Sequence, residues 1–283
     1  FGSNYINNGQ GGNSSINGGG NNQGQSGAGF NSDAQGSVAS GTNAKGWNNG
    51  LNGGTVWGWP YNGKGGFGGG ATSFTNGNHR PGGGGGYSGG RGGVPETRQY
   101  AYRTTSIRSA GAGGSYYNPN LVKGFHTGPK YSGYGKVFVK FMPEYTGKIE
   151  VLYPFKSFTF RTGLTGRLGP TLERLRKTEY NNPTLWTNND DYFSMDPKRP
   201  GIQIWTVPKT GYYKFDVYGA GGHYYNAGSY IGGYSRKLSG YVELNMNEKI
   251  HIACGQVAKN ASGQYGSMYG GHGGTFVVKE DGT

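Results

Sequence analysis

Cysteine is almost absent from this 283-residue sequence, which has it only at Cys254. No disulfide can form within the chain, so a cysteine-stapled scaffold is excluded. Acidic residues are scarce, 14 against 27 lysines and arginines, leaving a formal charge of +13. That surplus favours polyanions as partners, whether acidic glycans, anionic surfaces or nucleic acid. Apolar residues make up only 32% of the chain, too few for a conventional core along its whole length, and their distribution places that core mostly after residue 135. No apolar run approaches the roughly 20 residues that span a bilayer, and the start carries no charged-then-apolar signal segment. Proline is scarce in the first 93 residues and no Gly-X-Y period runs through them, which excludes collagen. The sequence opens on Phe1 rather than Met, as a processed product or a fragment does.

What is abundant is glycine, and 33 of the 61 glycines lie in residues 1–93. That stretch also carries Trp47, Trp57, Trp59, Tyr61, Phe67, Phe74 and Tyr87. Composition of this kind defaults to disorder, because little apolar surface offsets the ordering entropy. A flexible linker has no use for large aromatics, however, whereas closely packed backbone does. The glycines are therefore read as structural, allowing main chains to approach with no Cβ between them. The stretch holds only Lys45, Lys64, Arg80 and Arg91 against Asp33, a net of four minus one, or +3, so the remaining positive excess belongs to the later residues.

Period-two alternation begins near residue 136. Lys136-Val-Phe-Val-Lys-Phe141 and Gly147-Lys-Ile-Glu-Val-Leu-Tyr153 each place alternate apolar residues on one face, the pattern of half-buried strands. Further strands are expected at 158–160, 202–207, 212–218, 240–246, 249–254 and 275–279. Many short strands separated by turn signals indicate an antiparallel sandwich. Only Pro170-Thr-Leu-Glu-Arg-Leu-Arg-Lys-Thr-Glu-Tyr180 reads as a helix, with Pro170 suited to its first position.

No catalytic or metal-binding constellation is evident. His79, His126, His223, His251 and His272 are scattered, without paired ligand spacing or a nucleophile elbow, so neither an enzyme nor a cofactor is expected. Cys254 shares a face with Ile250 and Ile252 and reads as a buried strand residue. Asn13-Ser-Ser15 and Asn260-Ala-Ser262 match the glycosylation pattern. Arg161, Arg167, Arg174, Arg176 and Lys177 form the best candidate anion-binding surface, with a solvated helix face paired to Glu173 and Glu179 as the competing reading. The 23 tyrosines suit strands and edge packing, and equally oxidative cross-linking or adhesion.

The segments Phe158-Thr-Phe-Arg-Thr-Gly-Leu-Thr-Gly-Arg-Leu-Gly-Pro-Thr-Leu-Glu173, Gly201-Ile-Gln-Ile-Trp-Thr-Val-Pro-Lys-Thr-Gly-Tyr212 and Val217-Tyr-Gly-Ala-Gly-Gly222 together resemble the extracellular glycine-rich domain of the anaplastic lymphoma kinase and leukocyte tyrosine kinase receptors. The resemblance continues through Ile252-Ala-Cys-Gly-Gln256 and Gly270-Gly-His-Gly-Gly-Thr-Phe-Val-Val278, and extends more loosely to Gly63-Lys-Gly-Gly-Phe-Gly-Gly-Gly70, residues 82–90 and Gly133-Tyr-Gly-Lys-Val-Phe-Val139. It implies a mainly β fold, an antiparallel tumour-necrosis-factor-like jelly roll fused to a bundle of polyglycine II helices. The corresponding organisation is a glycine-rich segment at 1–135, connecting strands at 136–157 and a sandwich segment at 158–283. Three departures stand out. Thr162 and Leu175 occupy positions where family members carry cysteines, kinase motifs and a membrane span are missing, and the glycine-rich part precedes the sandwich motifs instead of following them.

The changed order has two solutions: the halves close within one chain, or the glycine-rich half completes a neighbour's sandwich. The second generates open head-to-tail filaments and is the reading preferred here. Its contacts would fall on Gly82, Gly83, Gly84, Gly85, Gly86, Tyr87, Val137, Val139, Thr275, Phe276 and Val277. The expected function is then that of a secreted, extracellular structural protein whose partner is itself. The alternative is a monomeric recognition module for a protein ligand or an acidic glycan. An RNA-binding low-complexity protein is a weaker third reading, resting on the single patch Gly89-Gly-Arg-Gly-Gly93.

Overall fold

In a computed structural model, the described residues are 10, 24–35, 41–56, 63–71, 73–75, 78–100, 103–110, 112–143, 151–182, 185–221, 234–258 and 271–282. Trp57, Trp59, Tyr61, both glycosylation motifs, His223 and residues 147–150 of the strand expected at 147–153 lie outside them. Among the described residues the strands are β1 (Gly41–Thr42), β2 (Thr55–Val56), β3 (Gly63–Lys64), β4 (Ser73–Thr75), β5 (Asn78–Arg80), β6 (Val94–Tyr100), β7 (Arg103–Ser109), β8 (Lys123–Tyr131), β9 (Lys136–Met142) and β10 (Ser157–Phe160), followed by β11 (Phe193–Met195), β12 (Gln203–Thr206), β13 (Gly211–Tyr218), β14 (Ser235–Leu244), β15 (Lys249–Ala253) and β16 (Phe276–Lys279). The chain is mainly β, and every pairing between these strands is antiparallel.

Two sheets carry the main core. The first has five strands in the order β10-β9-β13-β14-β8, and the second has four in the order β11-β12-β15-β16. Alternation explains their packing: Val137, Val139 and Phe141 of β9 lie opposite Val217, Phe215 and Tyr213 of β13, so all point to one side. They join Phe193, Trp205, Ile250 and Ile252 of the second sheet in a single buried cluster. Two flat hydrophobic faces thereby remove each other from water, the dominant favourable term in folding. Residues 151–153, expected to continue a strand, are not strand, although Tyr153 is buried and donates to the Thr206 carbonyl while accepting from Trp205 Nε1 (2.7 Å).

The expected helix differs in form. Thr171 is the N-cap, its hydroxyl accepting from the Arg174 amide at 3.3 Å, so Pro170 stands outside the helix and not at its first position. One α turn, Leu172–Arg174, widens into a π turn over Leu175–Glu179, closed by the Tyr180 amide on the Leu175 carbonyl at 2.8 Å. Where the receptor family would bridge with cysteines, Thr162 and Leu175 are fully buried. The turn is fastened instead by Arg161 on Glu179 (2.9 Å) and by the Tyr180 hydroxyl, which bonds the Arg161 amide, the Arg161 carbonyl and Gln203.

The glycine-rich stretches are ordered against one another by main-chain hydrogen bonds. Along 81–86, Gly83 and Gly86 donate to Gln25 and Ala28, while Pro81 and Gly84 accept from Gly93 and Gly90. Gly83 also accepts from Gly70, and Gly85 donates to His272. Successive bonds to a given neighbour are therefore three residues apart, and this one stretch touches four others. Only glycine permits it: a Cβ at Gly82, Gly83 or Gly85 would collide with the carbonyl of Gly70, Gly90 or Gly68. Ala71, Pro81, Gly93 and Gln25 meet at one end of this array, and from that end the hairpins β4-β5 and β6-β7 depart, each pairing only with itself among the described strands.

Candidate functional site

The joint between the two halves lies within one chain. The second sheet has a reverse face, on which Ala253, Phe276 and Val278 alternate with its core residues. Trp47, Leu51 and Phe67 from the glycine-rich half cover that face, with Phe30 packed beside them. Arg199 lies over the Trp47 ring at 4.7 Å and is held by the buried Asp196 carboxylate at 2.6 Å, which also contacts His251 Nδ1 at 3.2 Å. Burial, then the charge of Arg199, holds the His251 pKa below its ordinary value. For Asp196, burial alone would raise the pKa, but hydrogen bonds from the Lys198 amide and Arg199, with the Arg199 charge, outweigh it.

The residues expected to make assembly contacts sit inside this chain. Val137 and Val139 belong to the main core. Gly82 to Gly86 form the centre of the glycine array, and Tyr87 stacks on Tyr116 with ring centroids 4.4 Å apart. Thr275 ties the end of β13 to the segment following β15, donating to the Tyr218 carbonyl (2.7 Å) and accepting from the Gly255 amide (3.0 Å), while Phe276 enters the joint and Val277 packs against the main core. Ahead of β16, Gly271 is bonded to Gly66 and Gly70, so residues 271–274 run into the array as one of its members.

The five basic residues near the helix do not converge on a common point. Arg161 pairs with Glu179, and Arg167 donates to the Gly53 carbonyl (3.1 Å) across the joint. Arg176 reaches Thr187, Asp190 and Phe193, and Lys177 pairs with Glu173 at 2.6 Å. Arg174 is exposed on the α turn.

A different cationic surface is present, on the outer face of the five-stranded sheet. The polar alternates of its strands line up in rows. Lys140 stands opposite Lys214, which stands opposite Tyr241, which stands opposite Lys123; four residues along, Lys136 stands opposite Tyr218, which stands opposite Lys237. Between the rows lies Asp216, bonded to Ser239 at 2.6 Å and Lys237 at 2.9 Å, with Lys214 at 3.8 Å. Burial pushes the Asp216 carboxyl up, but Ser239 and the two lysines more than reverse this and hold it below the ordinary range. Lys136 lies over the rings of Tyr218 (4.7 Å) and Tyr131 (5.2 Å). The signal for this face is present in the sequence, where Lys136, Lys140 and Lys214 alternate with the core residues of β9 and β13, but only the register between the strands brings them into rows.

The chain matches no protein-family model, no curated protein and no solved structure.

Proposed function

We propose that this chain is an extracellular structural protein that assembles head-to-tail with copies of itself into a filament or matrix. The observation carrying this reading is the construction of the joint. Among the described residues, 271–274 of the strand-rich half run into the glycine array, continuous with β16, which is the outermost described strand of its sheet. An edge strand with a glycine lead can leave its own array and seat in a neighbour's while keeping the same hydrogen bonds, and an exchange that does not close on itself propagates.

The three-residue recurrence of the array's bonds supports a polyglycine II bundle, whose helices repeat about every three residues. Two antiparallel sheets on one core support a jelly-roll sandwich of the tumour-necrosis-factor type. Together they support kinship with the glycine-rich receptor domains. Closure of the joint within one chain favours the second reading, a monomeric recognition module. Lysine cross-linking of an equal mixture of ordinary and heavy-isotope protein separates the two. Links from Lys45 or Lys64 to Lys198 or Lys279 that join differently labelled chains support exchange, whereas links confined to identically labelled peptides give the monomeric module.

A further inference from the structure

Of the four faces that the two main sheets present, two meet in the core and a third is covered by Trp47, Leu51 and Phe67. Among the described residues, the outer face of the five-stranded sheet contributes none to any of the hydrophobic clusters; Lys123, Lys140 and Glu243 are exposed on it, Lys136, Lys214 and Lys237 are half-buried, and Asp216 and Ser239 are buried beneath them. We propose that this face binds an acidic polysaccharide, its sulfate or carboxylate groups seated along the lysine rows of β9, β13 and β14. The inference does not depend on assembly.

Charge is the first ground. Lys123, Lys136, Lys140, Lys214 and Lys237 share the face with Asp216 and Glu243, and Asp216 is already engaged by Ser239, Lys237 and Lys214. Register is the second. Lys140 and Lys214 are direct cross-strand partners, an arrangement of like charges that destabilises a sheet. An anion seated between the two ammonium groups turns that repulsion into a binding site.

Strand geometry gives the spacing. Neighbouring strands lie about 4.8 Å apart and residues rise about 3.4 Å along each, so the row at Lys140 and the row at Lys136 are roughly 14 Å apart. An extended chain carrying charge at regular intervals fits two such rows better than a compact anion does. The rings decide between polyanions. Lys136 caps Tyr218 and Tyr131, and Lys237 lies 5.7 Å from the Tyr218 centroid. The faces of Tyr218 and Tyr131 that the ammonium groups cover are not open for the base stacking on which single-stranded nucleic acid binding relies, which leaves Tyr241 as the one ring of these rows without such a cap among the described contacts. The face offers charge and hydroxyl edges instead, which suit a hydroxylated, charged sugar chain.

The test uses the whole chain, immobilised and titrated with dextran sulfate, polygalacturonate, neutral dextran and polyuridylate. The acidic polysaccharides bind, with the tighter of the two identifying the preferred acid group. Affinity falls at least tenfold between roughly 50 and 200 mM salt, as counterion release requires, and neutral dextran does not bind. The double substitution K140Q/K214Q weakens binding by about tenfold or more, on the order expected for the loss of two charge contacts. Lys140→Gln alone, in an exposed side chain, weakens it several-fold without lowering the thermal midpoint, since it also relieves the repulsion of Lys214, whereas R174Q/K177Q on the helical turn has no effect. Unchanged affinity in K140Q/K214Q, or polyuridylate binding more tightly than either polysaccharide, overturns the proposal.

Discussion

Replacing Gly82 by alanine probes the glycine array where it is tightest. Its added Cβ meets the Gly70 carbonyl oxygen, with the Gly70 carbonyl carbon at 2.6 Å and the Gly271 amide nitrogen at 2.7 Å. All three are main-chain atoms, so no side chain can swing away. Relief requires the stretches to separate, which breaks the bonds from Gly70 to Gly83 (2.9 Å) and from Gly271 to Gly70 (2.6 Å). Each bond is worth about 1 kcal/mol net, and a buried group left unpaired costs about 1–3 kcal/mol. Residual overpacking adds about 1–3 kcal/mol, against which the stiffer unfolded chain returns only about 0.4–1 kcal/mol.

The expected loss is roughly 3–7 kcal/mol, or a thermal midpoint lower by roughly 10–20 °C for a chain of this size. Gly84 is the internal control, because its Cβ would meet nothing nearer than the Gly113 amide nitrogen at 3.1 Å, and G84A should stay within about 1 kcal/mol of the parent. Urea titration followed by tryptophan fluorescence reads both variants, with Trp47 buried beside the array at 2% exposure. Equal midpoints for G82A and G84A would refute the claim that these glycines are chosen for backbone contact.

Three further predictions concern the strand-rich half. Acid lowers stability in two stages: His251, held below its ordinary 6.5, contributes stability that is lost as pH falls below that value, and Asp196 and Asp216, held below 3.8, add a second loss under roughly pH 4. Denaturant midpoints across this range check it, and H251Q should remove the first stage only. Tyr180→Phe strips the buried hydroxyl that bonds Arg161 and Gln203 and should cost about 1–3 kcal/mol by equilibrium unfolding. Lys140→Glu places a carboxylate opposite Lys214 and should stabilise the fold by about 0.2–1 kcal/mol while reducing polysaccharide binding, a pair of opposite effects read by melting and titration.

The strand-rich half was legible because its alternation is local. β9, β10, β12, β13, β15 and β16 fall close to where the apolar residues recur, and Cys254 is buried with Ile250 and Ile252 as its pattern requires, its thiol pKa pushed up to about 12 by burial. The sequence pattern missed β8 because Lys123-Gly-Phe-His-Thr-Gly-Pro-Lys-Tyr131 does not alternate. It is an edge strand with two register shifts against β14, and proline and lysine are what such edges tolerate. β11 was missed because three residues carry too little pattern. In the glycine-rich half the aromatics Trp47 and Phe67 pointed rightly to packing, but what they pack against is set by residues some two hundred positions away. Sequence proximity groups the basic residues near the helix but cannot reveal that Arg167 and Arg176 are used by main-chain carbonyls.

Self-assembly is the central claim, and electron microscopy of the purified native protein, with mass photometry on the same sample, tests it most directly. The account predicts regular filaments with an axial repeat near the length of one module, arising from exchange of residues 271–279 between neighbours. A uniform population of 30.1 kDa particles that does not associate as concentration rises would contradict it.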